Sequence, residues 1–168
     1  MTVQPLKLRP YQEEALRVSK QKWEQGVTRQ LLALPTGTGK THIFASLPQH
    51  HGIKGRMLVL VHLKELKEQA VRKIRQLNPG LQVGVEMGEE SSWSRDRVVV
   101  ASVPSMVRRL SKFSPQDFDV IVCDEAHHST AKAYRLIFKH FGLVPPRNKK
   151  LLLGVTATPF RSDGEVLS

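Results

Sequence analysis

The sequence predicts an α/β domain built on a mostly parallel sheet with helices on both faces. Three observations carry this. Apolar runs recur along the 168 residues, at Leu31–Leu34, Met57–Val61, Val83–Val85, Val98–Ala101, Val120–Cys123 and Leu151–Val155. Most lack polar alternation, as strands buried on both faces do. Amphipathic stretches separate them, and strand–helix alternation over a whole chain is the signature of a doubly wound sheet.

The elements follow in order. Residues 11–25 read as an opening helix, with Pro10 in its first turn, where a missing N–H costs nothing. A strand at Leu31–Leu34 leads into a second helix starting near Lys40 and visible through Leu47. Over 63–77 the apolar Leu63, Leu66, Ala70, Ile74 and Leu77 recur at three and four residues, a helical period. Residues 104–112 and 131–141 give two further helices. Pro145-Pro146-Arg147-Asn148 breaks the chain before the last strand, and loops lie around 50–55 and 86–96. There is no internal repeat and no low-complexity tract.

Ligands of such sheets bind at the carboxyl ends of the strands. Polar segments should then follow the apolar runs, and five do: Pro35–Thr41, His62–Leu66, Ser102–Met106, Asp124–His127 and Thr156–Pro159. The first reads Pro35-Thr36-Gly37-Thr38-Gly39-Lys40-Thr41, a phosphate-binding loop between a strand and a helix. Gly37 and Gly39 let successive backbone N–H groups turn toward phosphate oxygens, and the helix start adds its positive dipole end. Lys40 reaches the β- and γ-phosphates, and the Thr41 hydroxyl ligates magnesium. Leu34 stands where the general pattern has its first glycine.

The second reads Asp124-Glu125-Ala126-His127. An acidic pair at a strand end, opposite a phosphate loop, divides two tasks: Asp124 holds the metal, and Glu125 orients or deprotonates the attacking water. His127 couples this loop to a neighbouring element. Thr156 and Thr158 offer hydroxyls to the acidic loop in a contact that changes with nucleotide state. Near the N-terminus Arg9, Tyr11 and Gln12 open the first helix. A glutamine amide carries one acceptor and one donor group, matching adenine N6 and N7, and Tyr11 or Arg9 can pack beside the base.

Net charge is +11 with a pI near 10.2, which points to a polyanionic partner, nucleic acid first. No apolar run approaches the ~20 residues of a membrane span, and the N-terminus shows no secretory or transit pattern. One cysteine, Cys123, within an apolar run, fits a reducing compartment and inert packing. The expected location is cytoplasmic, in association with nucleic acid. The adjacent pairs His50-His51 and His127-His128 lack the thiolates or spaced partners of a zinc site.

Together these segments resemble the first RecA-like motor domain of superfamily 2 helicases and translocases, from Leu8 to Gly164. Leu8–Gln12 resembles the adenine-reading Q-type motif, Pro35–Thr41 motif I, Asp124–His127 motif II in its DEAH spelling, and Thr156–Pro159 motif III. The strings DEAHH, TATPFR and LRPYQEEAL are most similar to the group of restriction-enzyme motor subunits and DNA-repair helicases. The resemblance implies ATP and Mg2+ as cofactors and DNA, tracked along one strand, as partner. Val61 to Leu66 resembles motif Ia, with Lys64 replacing the basic residue common at Leu63. Ala101 to Met106 resembles the next strand-contacting motif, with Ser102 and Ser105 at a helix start holding a backbone phosphate. It also implies hydrolysis between two lobes, the second supplying arginines to the γ-phosphate. The expectation is therefore one RecA-like lobe spanning 1–168, with the second lobe absent and the lobe weakly active by itself. Alternatives are a restriction-system translocase that does not unwind, a nucleotide-gated nucleic-acid binding module without useful catalysis, and, less favoured, an RNA helicase.

Overall fold

The computed structural model describes residues 8–34, 39–62, 64–124, 131–143, 149–157 and 165–167. The expectations for Pro35, Thr36, Gly37, Thr38, Glu125, His127 and Thr158 lie outside the described residues. The elements are α1 (Pro10–Glu24), β1 (Arg29–Leu34), α2 (Lys40–His50), β2 (Met57–Val61), α3 (Lys64–Leu77), β3 (Val83–Glu86), β4 (Val98–Ser102), α4 (Val103–Arg108), β5 (Val120–Asp124), α5 (Ala131–His140), β6 (Leu151–Ala157) and β7 (Glu165–Leu167). One sheet runs β3-β4-β2-β5-β6-β1-β7. Strands β1 to β6 pair in parallel, and β7 adds antiparallel to β1.

The side-chain period of two divides each strand between two cores. Met57, Val59 and Val61 join Val120, Val122 and Leu153 beneath α1, α2 and α3. Leu58 and Leu60 join Val99, Ile121 and Cys123 beneath α4 and α5. All five residues of β2 are buried, which is why this strand reads as an unbroken apolar run. On the second face Phe118 packs edge-on against Phe141 with ring centroids 5.3 Å apart. Aromatic pairs of this kind add ~1 kcal/mol beyond their buried area. Cys123 is 2% exposed, and burial, with Asp124 beside it, pushes its thiol well above its ordinary value. It is a packing residue.

Helix α2, whose start was expected near Lys40, runs through Pro48 to His50, losing the hydrogen bond that a proline cannot donate. Two departures from the sequence reading have local causes. The expected helix at 104–112 splits at Arg109 (φ −113°, ψ 15°) into α4 and a 3-10 turn at Leu110–Lys112. Strand β7 was not foreseen. Its three residues carry too short a pattern to stand out, and it exists as an addition to β1 through Leu31↔Leu167 and Ala33↔Glu165.

The ends of α1 and α2 meet through a buried polar cluster. Ser19 Oγ lies 2.5 Å from Gln30 Oε1 and 3.2 Å from His51 Nε2. His51 is 6% exposed and stacks on Trp23. Burial, followed by the nearby His50 and Lys20 charges, lowers its pKa to about 3. An unfolded histidine titrates near ~6.5. Between these values the unfolded chain binds a proton that the folded chain refuses. Stability from this site is therefore complete above the unfolded pKa and declines as pH falls toward the folded one. At about pH 4.5 the loss is about 2–3 kcal/mol, or ~4–12 °C in Tm. The expected result is that His51→Gln flattens the acid limb of Tm against pH by that amount. An acid limb identical to wild type contradicts the assignment.

Candidate nucleotide site at the carboxyl edge of the sheet

Strand order decides which motifs meet. β6 lies between β1 and β5, so the phosphate-loop strand and the acidic strand flank Thr156. Ala33 is in register with Thr156, and Asp124 with Val155. Lys40, the first residue of α2, places its Nζ 3.1 Å from Asp124 Oδ1. Lys40 is 7% exposed and Asp124 2%. Two opposite charges held this deep, one opening α2 and one ending β5, form a donor–acceptor pair suited to a polyphosphate and its counter-cation. Thr41 follows Lys40 in the first turn of α2 and is half-buried.

The start of α1 meets Gly39, the residue before Lys40. Gln12 Oε1 accepts the Arg9 backbone N–H at 2.8 Å, and Gln12 Nε2 donates to the Gly39 carbonyl at 3.4 Å. A Cβ at Gly39 would lie 2.9 Å from Gln12 Nε2 and 2.9 Å from the Tyr11 hydroxyl. The glycine is needed for this close approach, and the cradle is one that a side chain would fill. Gln12 is 4% exposed, and Arg9 is exposed. What the structure shows for Gln12 is a tie between α1 and the phosphate loop.

The other motifs gather on the far side of the same edge, on β2 and β4. His62 is half-buried after β2, and Lys64 opens α3 exposed. Ser102 caps α4, its Oγ accepting the Ser105 N–H at 3.2 Å. Ser105 is 2% exposed, and its backbone N–H is given to the Ser102 hydroxyl.

Sequence reasoning missed a charged cluster beside these residues. Glu86, fully buried at the end of β3, accepts from the Ser92 N–H at 2.9 Å, Ser92 Oγ at 2.8 Å, Arg109 Nη1 at 2.9 Å and the Lys112 ammonium. Arg109 also donates to the carbonyls of Gly88 and Glu90, and Lys67 pairs with Glu90 at 2.7 Å. Burial alone would raise the Glu86 carboxyl, but the bonds from Lys112, Ser92 and Arg109 outweigh it and hold its pKa below the ordinary value. The cluster pins the loop after β3 against α3 and the turn after α4. The one sequence signal was a glutamate ending an apolar strand. Glu86→Ala is expected to lower unfolding free energy by about 2–3 kcal/mol, at the low end for a broken buried pair because Arg109 and Lys112 reach solvent. Urea denaturation measures it, and a change below about 0.5 kcal/mol would contradict the assignment.

A parallel sheet with helices on both faces, a phosphate loop after β1 and an acidic strand end across β6 define a RecA-like nucleotide-binding motor domain. Comparison with known proteins carries this further. The sequence matches the family described as type III restriction enzyme, res subunit, over residues 5–161. It is 38% identical over 168 residues to the putative mitochondrial ATP-dependent helicase irc3 of Schizosaccharomyces pombe, covering 97% of this chain and 28% of that protein. It is 30% identical over 163 residues to the DNA 3'-5' translocase XPB2 of Sulfurisphaera tokodaii, covering 95% and 33%. The helicase domain of Pyrococcus furiosus Hef, a crystal structure, aligns with a TM-score of 0.70 at 29% identity, over 92% of this chain and 34% of that one. The chain belongs to the type III restriction enzyme res-subunit family, as a superfamily 2 motor domain. It spans 28% and 33% of the length of the two curated relatives named. Among the described residues, no helix is long and apolar enough to cross a membrane.

Proposed function

We propose that this chain is the ATP-binding lobe of an ATP-dependent DNA helicase or translocase, which couples hydrolysis to movement along a strand. The observation that carries the reading is the buried Lys40–Asp124 pair, 3.1 Å apart across the carboxyl ends of β1 and β5. Lys40 would exchange the Asp124 carboxylate for the β- and γ-phosphates, and Asp124, with the Thr41 hydroxyl, would hold Mg2+. The donor set fits that ion, which takes oxygen ligands and few protein carboxylates. When bound, the ion neutralises charge developing on the transferred phosphoryl group. Pro35, Thr36, Gly37, Thr38 and Gly39 are the residues assigned to the phosphates by their motif. Glu125 orients the water and accepts its proton. Arg9, Tyr11 and Gln12 meet the adenine at the start of α1, where Gln12 already braces the loop.

His127, Thr156 and Thr158 relay nucleotide state toward β2 and β4, where His62, Lys64 and the Ser102 cap meet the nucleic-acid backbone. Such contacts position a strand and carry little base specificity. Hydrolysis is completed by a second lobe, whose arginines stabilise the γ-phosphate, so this chain alone turns over slowly.

The test is ATP turnover by the full-length protein with and without single-stranded DNA. Strong stimulation by DNA is expected. Turnover indifferent to DNA, with DNA affinity that still depends on ATP, would make the protein a nucleotide-gated binding module instead. The res-subunit match favours a second reading, a restriction-system motor that translocates without unwinding. Displacement of a bound third strand without separation of the duplex would establish it.

A further inference from the structure

The amino edge of the sheet, opposite the nucleotide site, carries a basic cleft that the proposed cycle does not use. Residues preceding the strands are stitched into a row there. Met57 N–H donates to Arg97 O, Asp119 N–H to Arg56 O, Leu151 N–H to Asp119 O and Leu152 N–H to Thr28 O, at 2.8–3.0 Å. Adjacent strands stand ~4.8 Å apart, so the side chains of this row are close neighbours. Beside it a cleft of about 390 Å3 opens between the end of α1 and the starts of β2, β5 and β6. Trp23, Lys54, Asp119, Lys149 and Lys150 line it.

The charge in the cleft is three lysines against one carboxylate, in a chain of net charge +11. Asp119 is turned toward Gly55, where a Cβ would lie 1.8 Å from its Oδ2. Lys150 is braced by the Phe141 carbonyl at 2.9 Å and by the Pro115 carbonyl. Lys54 and Lys149 are exposed. Trp23 is fixed from two sides: its indole N–H donates to the Lys149 carbonyl at 2.9 Å, and its ring stacks on His51 with centroids 5.9 Å apart. A rigid aromatic ring beside a short series of ammonium groups matches a strand whose phosphates and bases alternate. An acidic peptide would use the cations but has no use for the ring.

We propose that this amino-edge cleft is a second contact for single-stranded nucleic acid, with Lys54 and Lys149 on the phosphates and Trp23 against a base. It goes beyond the carboxyl-edge contacts and does not depend on them or on nucleotide. A strand held there stays attached while the carboxyl edge releases and rebinds.

Fluorescently labelled dT20 is titrated, without nucleotide, into the wild-type chain, Lys54→Glu/Lys149→Glu and, as a carboxyl-edge comparison, Lys64→Glu. The double variant is expected to bind at least tenfold more weakly, and its plot of log affinity against log salt to be shallower by about 1.4, the value for two lost single-strand phosphate contacts. In a Trp93→Phe background, the Trp23 emission is expected to quench as dT20 binds. Should the double variant misfold, Lys149→Gln alone is expected to weaken binding about threefold. A change below twofold with an unchanged salt slope overturns the proposal. Displacement of dT20 by poly-glutamate, at equal charge, as effective as displacement by unlabelled dT20 also overturns it, in favour of an acidic protein partner. The Lys64→Glu arm reports the carboxyl edge separately, so failure of either contact is recognisable by itself.

Discussion

Lys40→Ala in the full-length protein is expected to cut DNA-stimulated ATP turnover by at least about 10²-fold, the usual scale for removing a preorganised charge from a phosphoryl-transfer site. The cause is local. The Lys40 side chain is 8% exposed and its ammonium lies 3.1 Å from a carboxylate that is 3% exposed. The substitution also leaves Asp124 buried beside a lost counter-charge, so the folded state should weaken by about 1–3 kcal/mol. These effects are separable. Lys40→Ala/Asp124→Asn should recover most of the melting temperature and none of the turnover. If the double variant recovered turnover, Lys40 would be a structural partner of Asp124 and no phosphate ligand. If Lys40→Ala turned over at the wild-type rate, the nucleotide would lie elsewhere.

Glu125→Gln is the second large effect, and it should divide binding from chemistry. Glutamine keeps the size and hydrogen-bonding reach of the side chain but cannot accept a proton from water. ATP affinity is expected to stay within about threefold of wild type while turnover falls at least about 10²-fold, as general-base losses do. Fluorescent-nucleotide binding alongside single-turnover hydrolysis measures both. Collapse of binding together with hydrolysis would mean that Glu125 supports the loop and does not act on the water.

How far the sequence revealed this molecule follows from where its information is stored. The six parallel strands were legible because burial on both faces leaves nothing but apolar residues, as in Met57–Val61 and Val98–Ala101. Helix α3 was legible because Leu66, Ala70 and Ile74 share one face while its charges, the buried Lys67 excepted, lie elsewhere. The candidate nucleotide site was legible because its polar residues are adjacent in sequence around Lys40 and again at Asp124, one after β1 and one ending β5. The rule that ligands gather at carboxyl ends placed them together before their spatial order was known.

What was hidden depends on convergence. Glu86 meets Ser92, Arg109 and Lys112 from separations of 6, 23 and 26 residues, and no local pattern announces such a meeting. The break at Arg109 was hidden for the same reason, since its guanidinium is drawn to groups on another loop. Ser105 reads as a phosphate ligand because a serine at a helix start can be one, and only packing revealed that it is buried. The amino-edge cleft joins α1 to the starts of three strands, so Trp23 and Lys149 are neighbours across 126 residues.

The most direct measurement is equilibrium binding of a non-hydrolysable ATP analogue to this chain by calorimetry, with Mg2+ and then with a chelator, for wild type and Lys40→Ala. The predicted result is one-to-one binding by the wild type that weakens sharply without Mg2+ and disappears in the variant. Absence of wild-type binding, or equal binding by the variant, would contradict the claim that the Lys40–Asp124 pair marks the nucleotide site.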